Sequence, residues 1–331
     1  MAASEQNRIW PGVALCAGLA LVAGRLGAAW PVIGGAVFAL VLGLSVSGLV
    51  RARPVLRPGT RLASRKVLQA AIVMLGGSLS LGQVVAAGRQ TVAVMLVTLS
   101  AALLAAWAYG RLLTVPRRLM WLVGVGTAIC GGSAIAAVAP ILGADDDEIA
   151  FGISTVFLFN LLAVLVFPLV GHLLGLSQFG FGTWAGTAIN DTSSVVAAGY
   201  AYGHAAGDVA TITKLARTTM IVPVSLLFLW RARSGGTLEA GGDLRRVMPW
   251  FIFGFVAMAL LNSTGWLGAG MPHVAGALGR ALILVALAGV GLGTDLRKLT
   301  ATGPRPVLLG LLVWVTVALT SLGVQGLARQ W

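Results

Sequence analysis

Charged side chains are scarce in this sequence. They make up 10% of its 331 residues, against about 25% in an average soluble domain, so the chain cannot cover a water-facing surface. A hydrophobic share of 58% and a mean hydropathy of +0.93 agree with that. Cysteine is nearly missing: Cys16 and Cys130 are the whole complement, which excludes a disulfide framework and a four-cysteine metal site. The three histidines, His172, His204 and His273, fall near the ends of apolar runs, where interfacial solvation accounts for them better than metal ligation does. Asp191 is the one carboxylate read at mid-run, so the paired acids or metal carboxylates of an intramembrane enzyme are wanting. No cofactor, metal site or enzymatic activity is expected.

What the chain has instead is apolar length. Runs of about 18 or more residues, enough to cross a hydrocarbon core of about 30 Å, recur throughout. Lipid offers no partner for backbone polar groups, which leaves helices or a closed barrel. Barrel strands alternate apolar and polar over about ten residues, and stretches such as Val92 to Ala108 and Val307 to Leu319 do not. The expected fold is all-α and polytopic, one integral membrane domain over residues 1–331 with no soluble domain. Eleven spans are predicted at about 9–28, 30–50, 66–87, 90–110, 119–142, 149–174, 181–202, 207–230, 247–264, 274–294 and 306–327.

Basic residues then orient the stack. Arg51, Arg53, Arg57, Arg61, Arg65 and Lys66 follow span 2, and Arg111, Arg117 and Arg118 follow span 4. Arg231, Arg233, Arg245 and Arg246 follow span 8, and Arg297, Lys298 and Arg305 follow span 10. Odd-numbered exits hold Arg25, Arg89 and Arg329, and the acidic run Asp145 to Glu148 follows span 5. By the positive-inside rule the N-terminus is expected in the cytoplasm. The net charge of +13 therefore reflects topology and contact with lipid, and no nucleic-acid partner is expected. The acidic run reads as a solvated loop that caps span 6.

Two segments open almost identically: GTAICGGSAIAAVAP from Gly126 to Pro140, and GTAINDTSSVVAAGY from Gly186 to Tyr200. Ser133 matches Ser193 and Ala137 matches Ala197 at the same offsets. Small residues let helices approach closely, and with 45 glycines in the chain packing explains most of them. Mid-span clusters of glycine and hydroxyl residues also free backbone groups, which lipid tolerates only against protein or a cavity. A charge such as Asp191 costs about 2.5–3.5 kcal/mol at a helix centre and normally faces a polar pathway. Paired interrupted helices are the sequence sign of a secondary transporter's site, where half-helix N-termini meet anions and freed carbonyls meet cations.

Lys214 and Arg217 lie three residues apart in span 8, hence on one face. Snorkelling to headgroups is one reading of Arg217; pairing of Lys214 with Asp191 is another. Asn160 can hydrogen-bond between helices, and Arg280 is either an interfacial or a pathway charge. A fainter echo links Leu75 to Val84 with Ala288 to Leu296, in spans expected to run oppositely.

The runs Gly126 to Leu142, Ile189 to Gly199 and Lys214 to Val224 together resemble the YeiH-like sulfate-exporter family of bacterial inner-membrane proteins, grouped with the cation:proton antiporter and anion transporter superfamily. The resemblance covers about span 2 to span 11. Asn190 stands where the family usually has histidine, and Ser194 replaces a bulkier polar residue. The resemblance implies a panel domain and a core domain with crossed broken helices, an elevator-like motion, and a homodimer by analogy.

The resulting expectation is a secondary transporter of a small anion such as sulfate or an organic sulfonate or carboxylate, with H+ or Na+ as the coupling ion. Gly126, Thr127, Cys130, Gly131, Gly132 and Ser133 of the first break, and Thr187, Asn190, Asp191, Thr192, Ser193 and Ser194 of the second, would line the site. Lys214, with Arg217, would supply positive charge, so Lys214→Ala is expected to remove anion binding and leave folding intact. A cation:proton antiporter with Asp191 as ion ligand is the alternative, and a passive channel is a third.

Overall fold

The computed structural model describes residues 2–30, 34–234, 250–268, 270–294, 304–329 and 331. Arg245, Arg246, Arg297 and Lys298, and the Asp295–Leu296 end of the fainter echo, lie outside the described residues. The described chain is helical throughout, with no strand among the described residues: α1 Ala2–Ala29, α2 Gly34–Ser45, α3 Ser47–Ala52, α4 Arg57–Leu62, α5 Leu68–Gly76, α6 Leu81–Leu112, α7 Arg117–Ala128, α8 Gly132–Leu142, α9 Asp146–Leu173, α10 Gln178–Ala188, α11 Thr192–Tyr202, α12 His204–Thr219, α13 Ile221–Ser234, α14 Trp250–Ser263, α15 Met271–Gly293 and α16 Pro304–Leu327. A π-turn over Ala63–Val67 joins α4 to α5.

Among the described residues, six stretches are long and apolar enough to cross a membrane: Ile9–Ala29, Leu81–Leu112, Asp146–Leu173, His204–Arg231, Met271–Gly293 and Pro304–Leu327. Their outward faces carry exposed apolar side chains such as Leu104, Leu173 and Leu319, which only lipid can cover at no cost. The protein is therefore an all-α, multi-pass membrane protein.

The chain divides into two compact units. Unit 1 comprises Met1–Ala87, Val196–Asp208 and Pro249–Asp295; unit 2 comprises Gly88–Val195, Val209–Met248 and Leu296–Trp331.

Unit 1 is built on glycine. A Cβ on Gly12 of α1 would lie 2.8 Å from Gly59 Cα of α4, and one on Gly43 of α2 would collide with the Ala288 carbonyl oxygen of α15. Helix backbones touch at these crossings, as small-residue interfaces allow. Gly276 faces Ser78, Gly279 faces Leu75 and Gly289 faces Ala63, a descending register that makes the α4–α5 segment and α15 antiparallel, as the fainter echo anticipated. The expected boundary between spans 3 and 4 moves, however. The break falls at 77–80, and residues 81–87 belong to α6. Ser80 and Gln83 exchange backbone and side-chain hydrogen bonds there, a reciprocal cap that starts α6 early.

Unit 2 corrects the predicted topology more deeply. Span 5 was expected to cross the membrane, and it does not. Helices α7 and α8 have 12 and 11 residues, about 18 and 16 Å at 1.5 Å per residue, too short to cross about 30 Å. Gly126 meets Ile135, Leu122 clusters with Ile135 and Ala139, and Arg118 pairs with Glu148 at 4.0 Å. Those partners pair in descending order, so α7 and α8 form an antiparallel re-entrant hairpin. The loop bearing Arg117 and Arg118 and the acidic run from Asp145 to Glu148 therefore share one side, where the sequence reading had them on opposite sides. As expected, the acidic run caps α9: Glu148 N–H donates to Asp145 and Asp145 N–H to Glu148, a capping box.

Candidate functional site

The first repeated segment turns at the tip of the α7–α8 hairpin. Ile129 leaves helical geometry, and Gly131 takes φ 72° and ψ −128°, a region open in practice to glycine alone. Helix α7 ends with free carbonyls. Ile129 N–H occupies Val125 O, and Gly131 N–H occupies Gly126 O. The carbonyls of Thr127, Ala128 and Ile129 remain, and all of them are taken by side chains from α12. Arg217 donates through Nε to Ala128 O at 2.6 Å and through Nη2 to Thr127 O; Lys214 Nζ donates to Ile129 O at 2.7 Å.

The second segment ends α10 at Ala188, and the same two cations reach it. Lys214 Nζ donates to Ile189 O at 3.0 Å, and Arg217 Nη1 approaches that oxygen at 3.5 Å. The negative ends of two helix dipoles thus converge on two buried cations, the favourable polarity. A methyl group on Gly131 would lie 3.9 Å from both Asn160 Nδ2 and the Asn190 carbonyl carbon, so the two breaks adjoin. Asn160, close to the middle of the 28-residue α9, accepts from Asn190 N–H at 3.0 Å and Asp191 N–H at 3.1 Å. The bond expected of it between helices is made instead to the backbone of the break between α10 and α11.

Asp191 does not pair with Lys214, the partner considered for it: every hydrogen bond of Lys214 goes to a carbonyl. Its carboxylate instead accepts from Ser193 N–H at 2.9 Å and from Ser193 Oγ. It caps α11, placing negative charge at a helix N-terminus. Lys214 and Arg217 are fully buried, so Arg217 does not snorkel. Their positions follow from the neighbouring helix: Gly186 of α10 lies against Ala210 and Thr213 of α12, which brings the next turn of α12 to Ile189.

The other predicted residues separate into groups. Gly126 and Thr127 are buried in the last turn of α7, and Cys130 is buried at the tip as a free thiol. Gly132 is half-buried with open space where a side chain would stand, and Ser133 is exposed in the first turn of α8. Thr192 is half-buried, and Ser193 and Ser194 are buried. Thr187 turns elsewhere. Its Oγ1 bonds Thr183 O and Ser321 Oγ of α16, so it serves helix packing alongside the Trp184 Nε1 bond to Ala318 O. Asn190 is fully buried, and neither Oδ1 nor Nδ2 has a partner. Burying an amide that way costs about 1–3 kcal/mol, which marks a place where a polar guest would be welcome.

Sequence reasoning missed the carbonyls of Thr127, Ala128, Ile129 and Ile189 as receptors for the cations; side-chain chemistry alone gives no sign of them. It also missed Asp208 in unit 1, where Tyr200 Oη donates to Oδ1 at 2.5 Å.

Residues 11–310 match the family described as Conserved hypothetical protein 698. A UPF0324 membrane protein of Streptococcus pyogenes is 44% identical over 97% of this chain and 98% of its own length. UPF0324 membrane proteins of Fusobacterium nucleatum and Clostridium tetani are each 36% identical, over 96% and 95% of this chain and 98% and 96% of their own lengths. The chain belongs to this UPF0324 family. It is the YeiH-like family that the repeated segments and the lysine–arginine helix resembled, so three short runs sufficed to place a UPF0324 chain. No solved structure matches.

Proposed function

We infer that this UPF0324 protein is a secondary transporter of a small anion, of the size and charge of sulfate, sulfite or a short organic sulfonate or carboxylate. One observation carries the reading: two interrupted segments are drawn together by two fully buried cations, with a single carboxylate beside them. Lys214, Arg217 and Asp191 together leave one net positive charge. The first turn of α8 adds a helix N-terminus with no side-chain cap, open at Gly132 and Ser133. Helix N-termini and glycine-rich turns favour anions, and a pair of broken segments is where transporters bind their substrates.

The cations act at one remove in this reading. Their protons point at carbonyls, so they set the local potential and hold the breaks in place, while α8 N–H groups, Ser133 Oγ and the unpartnered Asn190 amide would supply direct contacts. All of these residues belong to unit 2, as an elevator-type carrier requires of a substrate site that moves as one body. A cation:proton antiporter fits less well, because Asp191 is engaged at the α11 N-terminus and two cations stand nearby. We place the protein in the bacterial inner membrane with its N-terminus in the cytoplasm, on the basic residues Arg53 to Lys66 and Arg111 to Arg118, which precede or open the α7–α8 hairpin and so keep their expected side.

The test is uptake of labelled sulfate, sulfite and short carboxylates into proteoliposomes, with and without a pH or Na+ gradient. Accumulation of any of them against its own gradient supports the reading. Failure to move every one under every imposed gradient overturns it.

A further inference from the structure

The basic segment between α2 and α5 in unit 1 does more than set orientation. No carboxylate occurs anywhere between Glu5 and Asp145, so its charges lack acidic neighbours in sequence. Arg61, Arg65 and Lys66 are exposed and form no ion pair among the described residues. Leu62 of the same segment lines an apolar cleft of about 350 Å³ together with Ile9, Trp10 and Val13 of α1. The cleft owes its shape to the crossing at Gly12 and Gly59, where α1 and α4 touch backbone to backbone and their larger side chains part.

Charge and cleft lie in adjoining turns. Arg65 and Lys66 lie three and four residues beyond Leu62, within the single π-turn that follows it. Helical side chains lean toward the N-terminus, and cationic side chains this long within one turn of Leu62 can reach the mouth of the cleft. Trp10 is 64% exposed at the same cleft, and indole rings favour the headgroup level of a bilayer. An apolar slot under two or three cations is complementary to one kind of molecule, with a phosphate at one end and hydrocarbon at the other.

We propose that this face is a binding site for an anionic phospholipid, its acyl chain along Ile9, Trp10, Val13 and Leu62 and its headgroup phosphate on Arg65 and Lys66, with Arg61 alongside. The site is independent of the transport reading.

The test uses full-length protein in neutral detergent, with lipid retention measured by native mass spectrometry. Phosphatidylglycerol, phosphatidylcholine of the same chains, and glycerol phosphate alone are titrated separately. Phosphatidylglycerol should bind about 30-fold more tightly than phosphatidylcholine, the gain expected from two cations near an anionic headgroup. R65Q/K66Q should erase that preference, and because both side chains are exposed the fold should hold; R61Q, also exposed, should give a smaller loss. L62S should weaken both lipids alike. Equal affinity for the two lipids overturns the proposal, as does an unchanged preference in R65Q/K66Q. Full competition by glycerol phosphate would overturn the acyl-chain half of the site.

Discussion

The two repeated segments begin with the same four residues and end their first helix at the same aligned alanine, yet they cap the second helix differently. In the first, Gly131 makes the turn in a backbone region only glycine enters easily, and α8 starts without a side-chain cap. In the second, the aligned position is Asp191, whose carboxylate closes the N-terminus of α11 on Ser193. A positive-φ turn excludes an unstrained aspartate, and an aspartate cap removes the need for glycine. One copy is thus left electropositive and open while the other is neutralised, and the pair is bound together by α12.

Breaking the comparison altogether means removing what the copies share. Arg217→Ala strips bonds from Thr127, Ala128 and Ile189, and it should cost roughly 3–5 kcal/mol, seen as a large fall in melting temperature in detergent or loss of monodisperse protein. Lys214→Ala should cost about 3 kcal/mol by the same route. This revises the sequence-based expectation that the lysine could be removed without harm to folding. Wild-type melting in both variants would mean that the cations do not hold the breaks.

The next substitution separates the copies. Asn160→Leu leaves the Asn190 and Asp191 N–H groups without their acceptor and should cost about 2 kcal/mol, while the first tip keeps its bonds to Lys214 and Arg217. Hydrogen exchange should then rise around residues 189–193 more than around 128–132; equal rises would show that the two breaks open as one. Gly131→Ala acts on the other copy. A methyl there would meet nothing closer than 3.6 Å, so the cost is conformational, about 1–3 kcal/mol, and Gly131→Asp should fare no better despite mimicking the second copy.

The smallest effect sharpens the role of the carboxylate. Asp191→Ala should lose about 1 kcal/mol as a missing cap, and Asp191→Asn should melt within about 0.5 kcal/mol of wild type because asparagine caps equally well. If Asp191→Asn keeps its melting temperature but changes the pH dependence of uptake, the charge serves coupling. If it changes neither, the residue is a cap alone.

Much of this was legible in the chain itself. The all-α membrane class followed from apolar length and missing charge, and the family followed from three short runs. The meeting of the two breaks was anticipated from their shared wording and from Lys214 and Arg217 on one helix face. The capping role of the Asp145 run needed only the spacing of Asp145 and Glu148. The re-entrant course of α7 and α8 was not legible, because the largely apolar run of 24 residues from 119 to 142 satisfies a hydropathy window whether it crosses or doubles back. Thr187 was misread as lining the site because nothing in GTAI says which way a threonine on α10 points; its partner Ser321 is 134 residues away.

The amino-acid sequence by itself determined the solvent of this protein and the chemical inventory of its site, since both depend only on which side chains exist and how often. Tertiary structure alone decided the partners: that buried cations bind carbonyls instead of Asp191, and that Arg118 and Glu148 share a side. Hydrogen-bond acceptors on the backbone are identical at every residue, so where a lysine finds one depends on where the helices end in space.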